Sequence, residues 1–166
     1  IVPTALVEAG QPARQAAERW ERVVIKPAVS ATAWRTELID AKEAGTYEVD
    51  VLVQPYMKEI EQGEWSLIFF GGEFSHAVFK RPKRGDFRVQ SDFGGTATAR
   101  MPDAKLIEQA RKHVKKEWLY ARVDGIEQDG RFLLMELELT EPALFFHTDP
   151  AAPGRFVDAL ELHGCP

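Results

Sequence analysis

An α+β fold with antiparallel sheets follows from three observations in the sequence. Trp65 to Phe70 is joined to Glu73 to Lys80 through Gly71-Gly72, and Leu119 to Ile126 is joined to the stretch Phe132 to Pro142 through Gln128-Asp129-Gly130. Gly-Gly and Asp-Gly supply the backbone angles that tight turns between strands need, so each pair predicts an antiparallel hairpin. Between the hairpins, Asp103 to Trp118 places Leu106, Ile107, Ala110, Val114 and Trp118 on one helical stripe with charges opposite, which predicts a packing helix.

The bulk composition sets limits. With 166 residues, 45% hydrophobic and 28% charged, the chain belongs to the globular class and is long enough to bury a core, as one domain or two small lobes. Its net charge of -5 disfavours a nucleic-acid or polyanion binder. Cys165 is the only cysteine, so there is no disulfide framework and a reducing, cytoplasmic location is expected. No apolar run approaches the ~18 residues of a membrane span, and no leader pattern opens the chain. It starts at Ile1 without an initiator Met, which reads as a piece of a longer polypeptide.

In order, Ile1 to Val7 has strand composition, and Pro12 suits the first turn of a helix running to Trp20 or Glu21. Val23-Val24-Ile25 is a short strand closed by Lys26-Pro27 and the small-residue loop Ala28 to Ala33. Lys26 reads either as a snorkelling strand-end lysine or as a point charge for a phosphate. The loop contains no glycine and is not a Walker-type cradle. Trp34 to Ile39 is strand-like, Asp40 to Ala44 a helical turn, and Val49 to Val53 a strand that Gln54-Pro55-Tyr56-Met57 brings to a stop. Five basic residues stand in the nine from Lys80 to Arg88, followed by Gly94-Gly95. Such a run is a solvated loop or, in an acidic chain, a mobile flap that closes over phosphates. Phe145 to His147 is expected to be extended and Arg155 to Leu162 a closing helix. The four histidines have no zinc-ligand spacing, and no G-x-S-x-G elbow is present.

The densest chemical signal lies in Phe132 to Pro142. Strict alternation puts Leu133, Met135, Leu137 and Leu139 on one face and Leu134, Glu136 and Glu138 on the other. At ~3.3 Å per residue the two glutamates stand roughly 6.6 Å apart. At an effective dielectric near 20 they repel by about 2.5 kcal/mol. On the preceding strand Tyr120, Arg122, Asp124 and Ile126 share a face, and the hairpin brings Asp124 beside Glu136 and Glu138. Three converging acids are either a wet outer face or a magnesium-phosphate platform, and the cationic residues elsewhere favour the platform.

Taken together, the ordered signposts resemble the ATP-grasp superfamily, in particular its glutathione-synthetase-like and RimK-like carboxylate-amine ligases. They are Val23 to Pro27, Gln54 to Met57, Gly63-Glu64, Lys80, Gly85-Asp86-Phe87-Arg88, Gly94-Gly95, Val123-Asp124-Gly125 and Met135 to Glu138. The wording Ala121-Arg122-Val123-Asp124 with Met135 to Pro142 is most similar to the bacterial branch that includes the cyclo-ligase of cycloserine biosynthesis.

That resemblance implies two α+β lobes with antiparallel sheets, residues 1–57 and 58–166, holding a nucleotide between them. It implies that Lys26 contacts the α/β-phosphates and the adenine edge, and that Gln54, Pro55, Tyr56 and Met57 form the adenine hinge. Glu64 would hold the ribose hydroxyls, Lys80 would face the phosphates, and Arg88 would bind the γ-phosphate or acyl phosphate from a flap over Arg81 to Gly95. Asp124, Glu136 and Glu138 would ligate Mg²⁺. The implied cofactors are ATP and Mg²⁺. The implied reaction joins a small-molecule carboxylate to an amine, or to a thiol, through an acyl phosphate. Two departures stand out. Many relatives have Glu-x-Asn where this chain has Glu136-x-Glu138. Relatives also carry an N-terminal domain that helps form the acceptor site, so the expected piece binds ATP without completing a ligation alone. The alternative is a non-catalytic nucleotide-binding module. No motif speaks to oligomeric state.

Overall fold

In the computed structural model, the structure describes residues 1–29, 34–83, 85–89 and 94–164. The Ala28 to Ala33 loop, the Arg81 to Gly95 flap and Cys165 therefore fall wholly or partly outside the described residues. The chain divides into two compact units, Ile1–Lys58 and Glu59–Pro166.

The first unit contains strands β1 (Ala5–Val7), β2 (Arg22–Pro27), β3 (Glu37–Asp40) and β4 (Val51–Pro55) in one antiparallel sheet of order β1-β4-β2-β3. Helix α1 (Arg14–Ala17) is far shorter than the helix that Pro12 and the alanine stripe predict. Pro12 instead bridges to Thr46, and the Ala13 N–H bonds to Gly45 O, so Pro12 is tied to a neighbouring segment and the helix begins only after Ala13. Val23, Ile25, Val51 and Val53 fill the core face with Ala13, Ala17 and Ala41. The opposite face receives Val24, Lys26, Leu52 and Gln54, since cross-strand partners share a side and the side-chain period is two. Pro55 does not end β4 early; the strand carries Gln54 and Pro55 within its ladder, opposite Val24 and Val23.

The second unit is built on a five-stranded antiparallel sheet of order β7-β6-β5-β8-β9. Its strands are β5 (Glu64–Phe70), β6 (Glu73–Arg81), β7 (Thr96–Ala99), β8 (Tyr120–Gln128) and β9 (Arg131–Glu138), and β7 carries no alternation that the sequence pattern reveals. Gly71 and Gly72 turn β5 into β6 with φ of 54° and 82°, the left-handed angles a two-residue turn demands. One sheet face buries Trp65, Leu67, Phe69, Phe79, Val123 and Phe132 against helix α2 (Ala104–Arg111) through Leu106 and Ala110. The helix stops seven residues before Trp118, where the chain tightens into i→i+3 bonds and crosses the Gly71-Gly72 turn. Lys116 passes so near that a Cβ on Gly72 would meet its Cα at 2.9 Å, and Arg111 holds Gly72 O at 2.9 Å.

The other face has two halves. Ile68 and Phe70 pack with Ala159 and Phe156 of helix α3 (Ala152–Leu162) and with Leu144, Phe145 and Phe146. Phe145 to His147 is not extended: Phe145 adopts a left-handed φ of 50° and Phe146–Thr148 forms a 3₁₀ turn. Buried His76 reaches this segment, its Nε2 lying 2.8 Å from Leu144 O and its Nδ1 2.9 Å from Ser75 Oγ. The remaining half of the face holds charged groups. No helix among the described residues is long and apolar enough to cross a membrane.

Candidate metal and phosphate site

The acids converge through a defect in the alternation. On β9 Glu136 faces Asp124 and Leu134 faces Gly125, so Met135 is an extra residue, a β-bulge. The bulge changes the phase by one. Leu134 packs against the Trp65 core, while Glu136 and Glu138 stand on the opposite face with Asp124 and Arg122. The expected grouping of Leu134 with the glutamates is thus overturned, because one inserted residue flips every later side chain. Leu137 and Leu139 are more than a third exposed. Gly125 makes the bulge fit. A Cβ there would lie 2.5 Å from Leu133 O and 2.5 Å from the Phe132 ring.

Asp124, Glu136 and Glu138 each present a carboxylate oxygen within 4.8 Å of the others. Asp124 is buried, Glu138 half-buried and Glu136 exposed, so the group runs from the sheet to the surface. Oxygens around a magnesium ion at ~2.1 Å stand about 3.0 Å apart when adjacent and about 4.2 Å when opposite. Side-chain shifts of an ångström or so close this cluster to that geometry, and three hard oxygen donors suit the ion chemically.

Two buried cations accompany the acids. Lys80 lies across the strands from Glu64 and binds it directly, and its Nζ also donates to Asp124 Oδ2 at 3.0 Å. Arg122 donates from Nε to Asp124 Oδ1 and from Nη2 to Asp124 Oδ2, both at 3.0 Å, while Nη2 also meets Glu138 Oε1. Charges alternate along Glu64, Lys80, Asp124, Arg122 and Glu138. Burial acts to raise the pKa of Asp124, but Lys80 and Arg122 outweigh it and hold the carboxyl below its ordinary range. Ser66, wholly buried opposite Asp124, makes no full hydrogen bond among the described residues, yet its nearby hydroxyl favours the charged carboxylate in the same direction. Burial lifts Glu64 to about 7 against the pull of Lys80, and burial likewise raises Glu138 against Arg122. Burial works against the charge of Lys80, but Glu64 and Asp124 more than compensate and keep the ammonium protonated.

Arg88 is held elsewhere. The Asp86 carboxylate accepts the N–H groups of Phe87 and Arg88 and is bridged by the Arg88 side chain, through Nε at 3.0 Å and Nη2 at 2.8 Å. Within the first unit, Lys26 and Gln54 share a sheet face, and Gln54 Nε2 donates to Thr4 Oγ1 at 2.8 Å. Of the backbone donors expected for adenine, Pro55 has none and the Tyr56 N–H is bonded to Arg22 O at 3.0 Å. The Tyr56 ring lies against Arg22, 5.1 Å from its guanidinium carbon. No sequence motif gives Arg122 a role of its own. The available signal was its position two residues before Asp124, on the same strand face.

The fold of two successive units with antiparallel sheets is shared with solved structures of ligases. The crystal structure of D-cycloserine synthetase DcsG superposes with a TM-score of 0.75 at 23% identity, covering 96% of this chain and 64% of that one. ATP-grasp ligase PsnB, solved with a phosphomimetic variant of its minimal precursor, Mg and ADP, gives 0.68 at 16% identity, covering 99% and 54%. The chain belongs to the prokaryotic glutathione synthetase ATP-grasp domain family, whose model matches residues 1–145. Cycloserine biosynthesis protein DcsG of Streptomyces lavendulae is 30% identical over an alignment of 122 residues that covers 66% of this chain and 41% of that protein. Glutathione synthetase of Prochlorococcus marinus is 29% identical over an alignment of 112 residues that covers 64% of this chain and 33% of that enzyme. The aligned stretches thus span well under half the length of these relatives.

Proposed function

We propose that this chain is the ATP- and magnesium-binding portion of a ligase that joins a small-molecule carboxylate to an amine. The observation that carries this reading is the trio Asp124, Glu136 and Glu138, gathered within 4.8 Å beside Lys80 and Arg122 in an ATP-grasp domain. PsnB, a fold neighbour, was solved with Mg and ADP, and DcsG and glutathione synthetase are named for synthetic or biosynthetic roles.

In this reading the substrate carboxylate attacks the γ-phosphorus of ATP, ADP leaves, and the amine displaces phosphate from the resulting acyl phosphate. Asp124, Glu136 and Glu138 would hold a magnesium ion, which when bound would neutralise charge on the phosphates. The chain's own residues position and shield. Lys80, buried and protonated, offers a fixed positive charge to phosphate oxygens while keeping Asp124 ionised. Lys26 and the Gln54 to Met57 segment are assigned to the nucleotide's phosphates and adenine, and Glu64 to the ribose. With the Tyr56 N–H bonded to Arg22 O and Pro55 carrying no N–H, the hinge does not offer a full run of donors. Arg88 is assigned to the γ-phosphoryl group, and engaging it requires exchange of the Asp86 carboxylate for the phosphate. Positioning and electrostatics of this kind carry most of phosphoryl transfer.

Calorimetry of ATP binding with and without Mg²⁺, on this chain and on Glu136→Gln, tests the assignment. Mg²⁺-dependent binding that Glu136→Gln weakens about tenfold or more is expected, because one of three charged ligands is lost. Equal affinity in all four titrations removes the metal platform. A product assay on the full-length protein, with amino acids as carboxylate and amine, separates a ligase from a nucleotide-binding module by ADP release.

A further inference from the structure

Arg122 spends its whole guanidinium on the acid platform and the segment beyond it. The Nε and Nη2 groups clasp Asp124, Nη2 also takes Glu138, and Nη1 donates to Ala143 O at 3.3 Å. Its side chain is 11% exposed, and the Phe145 ring lies over it with Cζ 5.8 Å from the centroid. Asp124 and Glu138, both proposed to receive a metal, therefore already hold a cation. Glu138 makes this possible: an amide there would leave the fork no second anion, whereas a carboxylate accepts Nη2 as a charged partner. The segment that follows β9 is pinned independently, by Tyr120 Oη donating to Thr140 O at 2.5 Å and by His76 at Leu144 O. It stays in place if the guanidinium lets go of the acids.

We infer that Arg122 is a built-in counter-cation of the platform, displaced from Asp124 and Glu138 when a divalent ion binds and retained through Ala143 O beside the Phe145 ring. This rests on the reading of the trio as the metal site. Three carboxylates this close repel one another, and in the ion's absence a buried guanidinium relieves that repulsion and keeps them aligned. A dication arriving from solvent meets exposed Glu136 first. To complete its ligand set it must take oxygens that the fork occupies. The affinity of the empty platform is accordingly lowered by the cost of releasing Arg122, and the released fork stands next to the ion, available to a negatively charged group of the substrates. Arg122 is in this sense a positioning residue that couples metal entry to exposure of a second cation.

The test uses Mn²⁺, followed by electron paramagnetic resonance without nucleotide, on the wild type, Arg122→Gln, Arg122→Lys and Glu136→Gln. Arg122→Gln is expected to bind Mn²⁺ about tenfold more tightly than wild type, since an opposing charge a few ångströms away is gone. Arg122→Lys, with the charge but without the fork, is expected to fall between them. On the wild type, the Arg122 Nε–H resonance should move when Mg²⁺ is added. If Glu136→Gln weakens Mn²⁺ binding but Arg122→Gln binds no tighter than wild type and the Nε–H resonance does not move, the counter-cation role is wrong and the platform stands. If neither Glu136→Gln nor Arg122→Gln alters Mn²⁺ affinity, the platform reading falls and the inference with it. Should Arg122→Gln fail to fold, the wild-type Nε–H resonance decides: movement supports displacement, and an unchanged signal overturns it.

Discussion

Lys80 joins two carboxylates in a place where each has little water, with side chains 10%, 11% and 1% exposed for Lys80, Glu64 and Asp124. Truncating Lys80 removes the cation that buried Glu64 binds directly and leaves Asp124 to Arg122. Lys80→Met is expected to lower unfolding stability by about 3–5 kcal/mol, read from urea melts. Lys80→Met combined with Glu64→Gln should recover part of that loss, because one orphaned charge disappears. Glu64 also gives a pH signature. Its carboxyl rises from an ordinary 4.5 to about 7 in the folded chain, so the folded state binds more protons between those values. Its stabilising contribution is complete below 4.5 and is lost as pH rises through 7. Chemical denaturation at several pH values should show this slope in the wild type and a flatter one in Glu64→Gln.

The β8–β9 hairpin shows how one element decides which chemistry a strand can present. Glycine at 125 and the extra residue Met135 work together: the first admits the Phe132 ring, the second turns Glu136 and Glu138 away from the core. Gly125→Ala is expected to destabilise by about 1–3 kcal/mol through overpacking. Gly154→Ala, in α3 with nothing within 4 Å of the new methyl, should instead be neutral or stabilising by up to about 1 kcal/mol. Thermal melts of the two variants make the comparison. The hairpins themselves were legible because glycine turns and apolar alternation are local signals. The bulge was not, since Leu134 and Met135 are equally apolar and nothing between neighbours in sequence tells which one the core will accept. Arg122 was equally hidden: its pairing with Glu138 bridges two strands, and its bond to Ala143 O depends on where the chain goes after β9.

At the scale of the molecule, each unit encloses a core of its own, the valine and alanine cluster in the first and the Trp65 and Phe70 clusters in the second. A fragment of residues 59–166 should therefore remain folded by circular dichroism. It should keep divalent-ion binding sensitive to Glu136→Gln, while its ATP affinity drops by about tenfold or more with the loss of Lys26 and the Gln54 to Met57 contacts. Retention of full ATP affinity would remove the first unit from the nucleotide assignment.

The sequence by itself determined the α+β class, the two hairpins and the amphipathic face of α2. Each of these rests on periodicity or turn chemistry between near neighbours, which the chain carries in any context. The tertiary structure alone decided that helix α1 is a single turn, that β4 runs through Pro55, and that Leu134 turns inward while Glu136 and Glu138 turn out. It also decided that Asp124 and Glu138 are clasped by Arg122, and that Glu64 is locked to Lys80. Those outcomes depend on partners far apart in sequence, where packing volume and the cost of an unpaired buried charge outweigh any local preference.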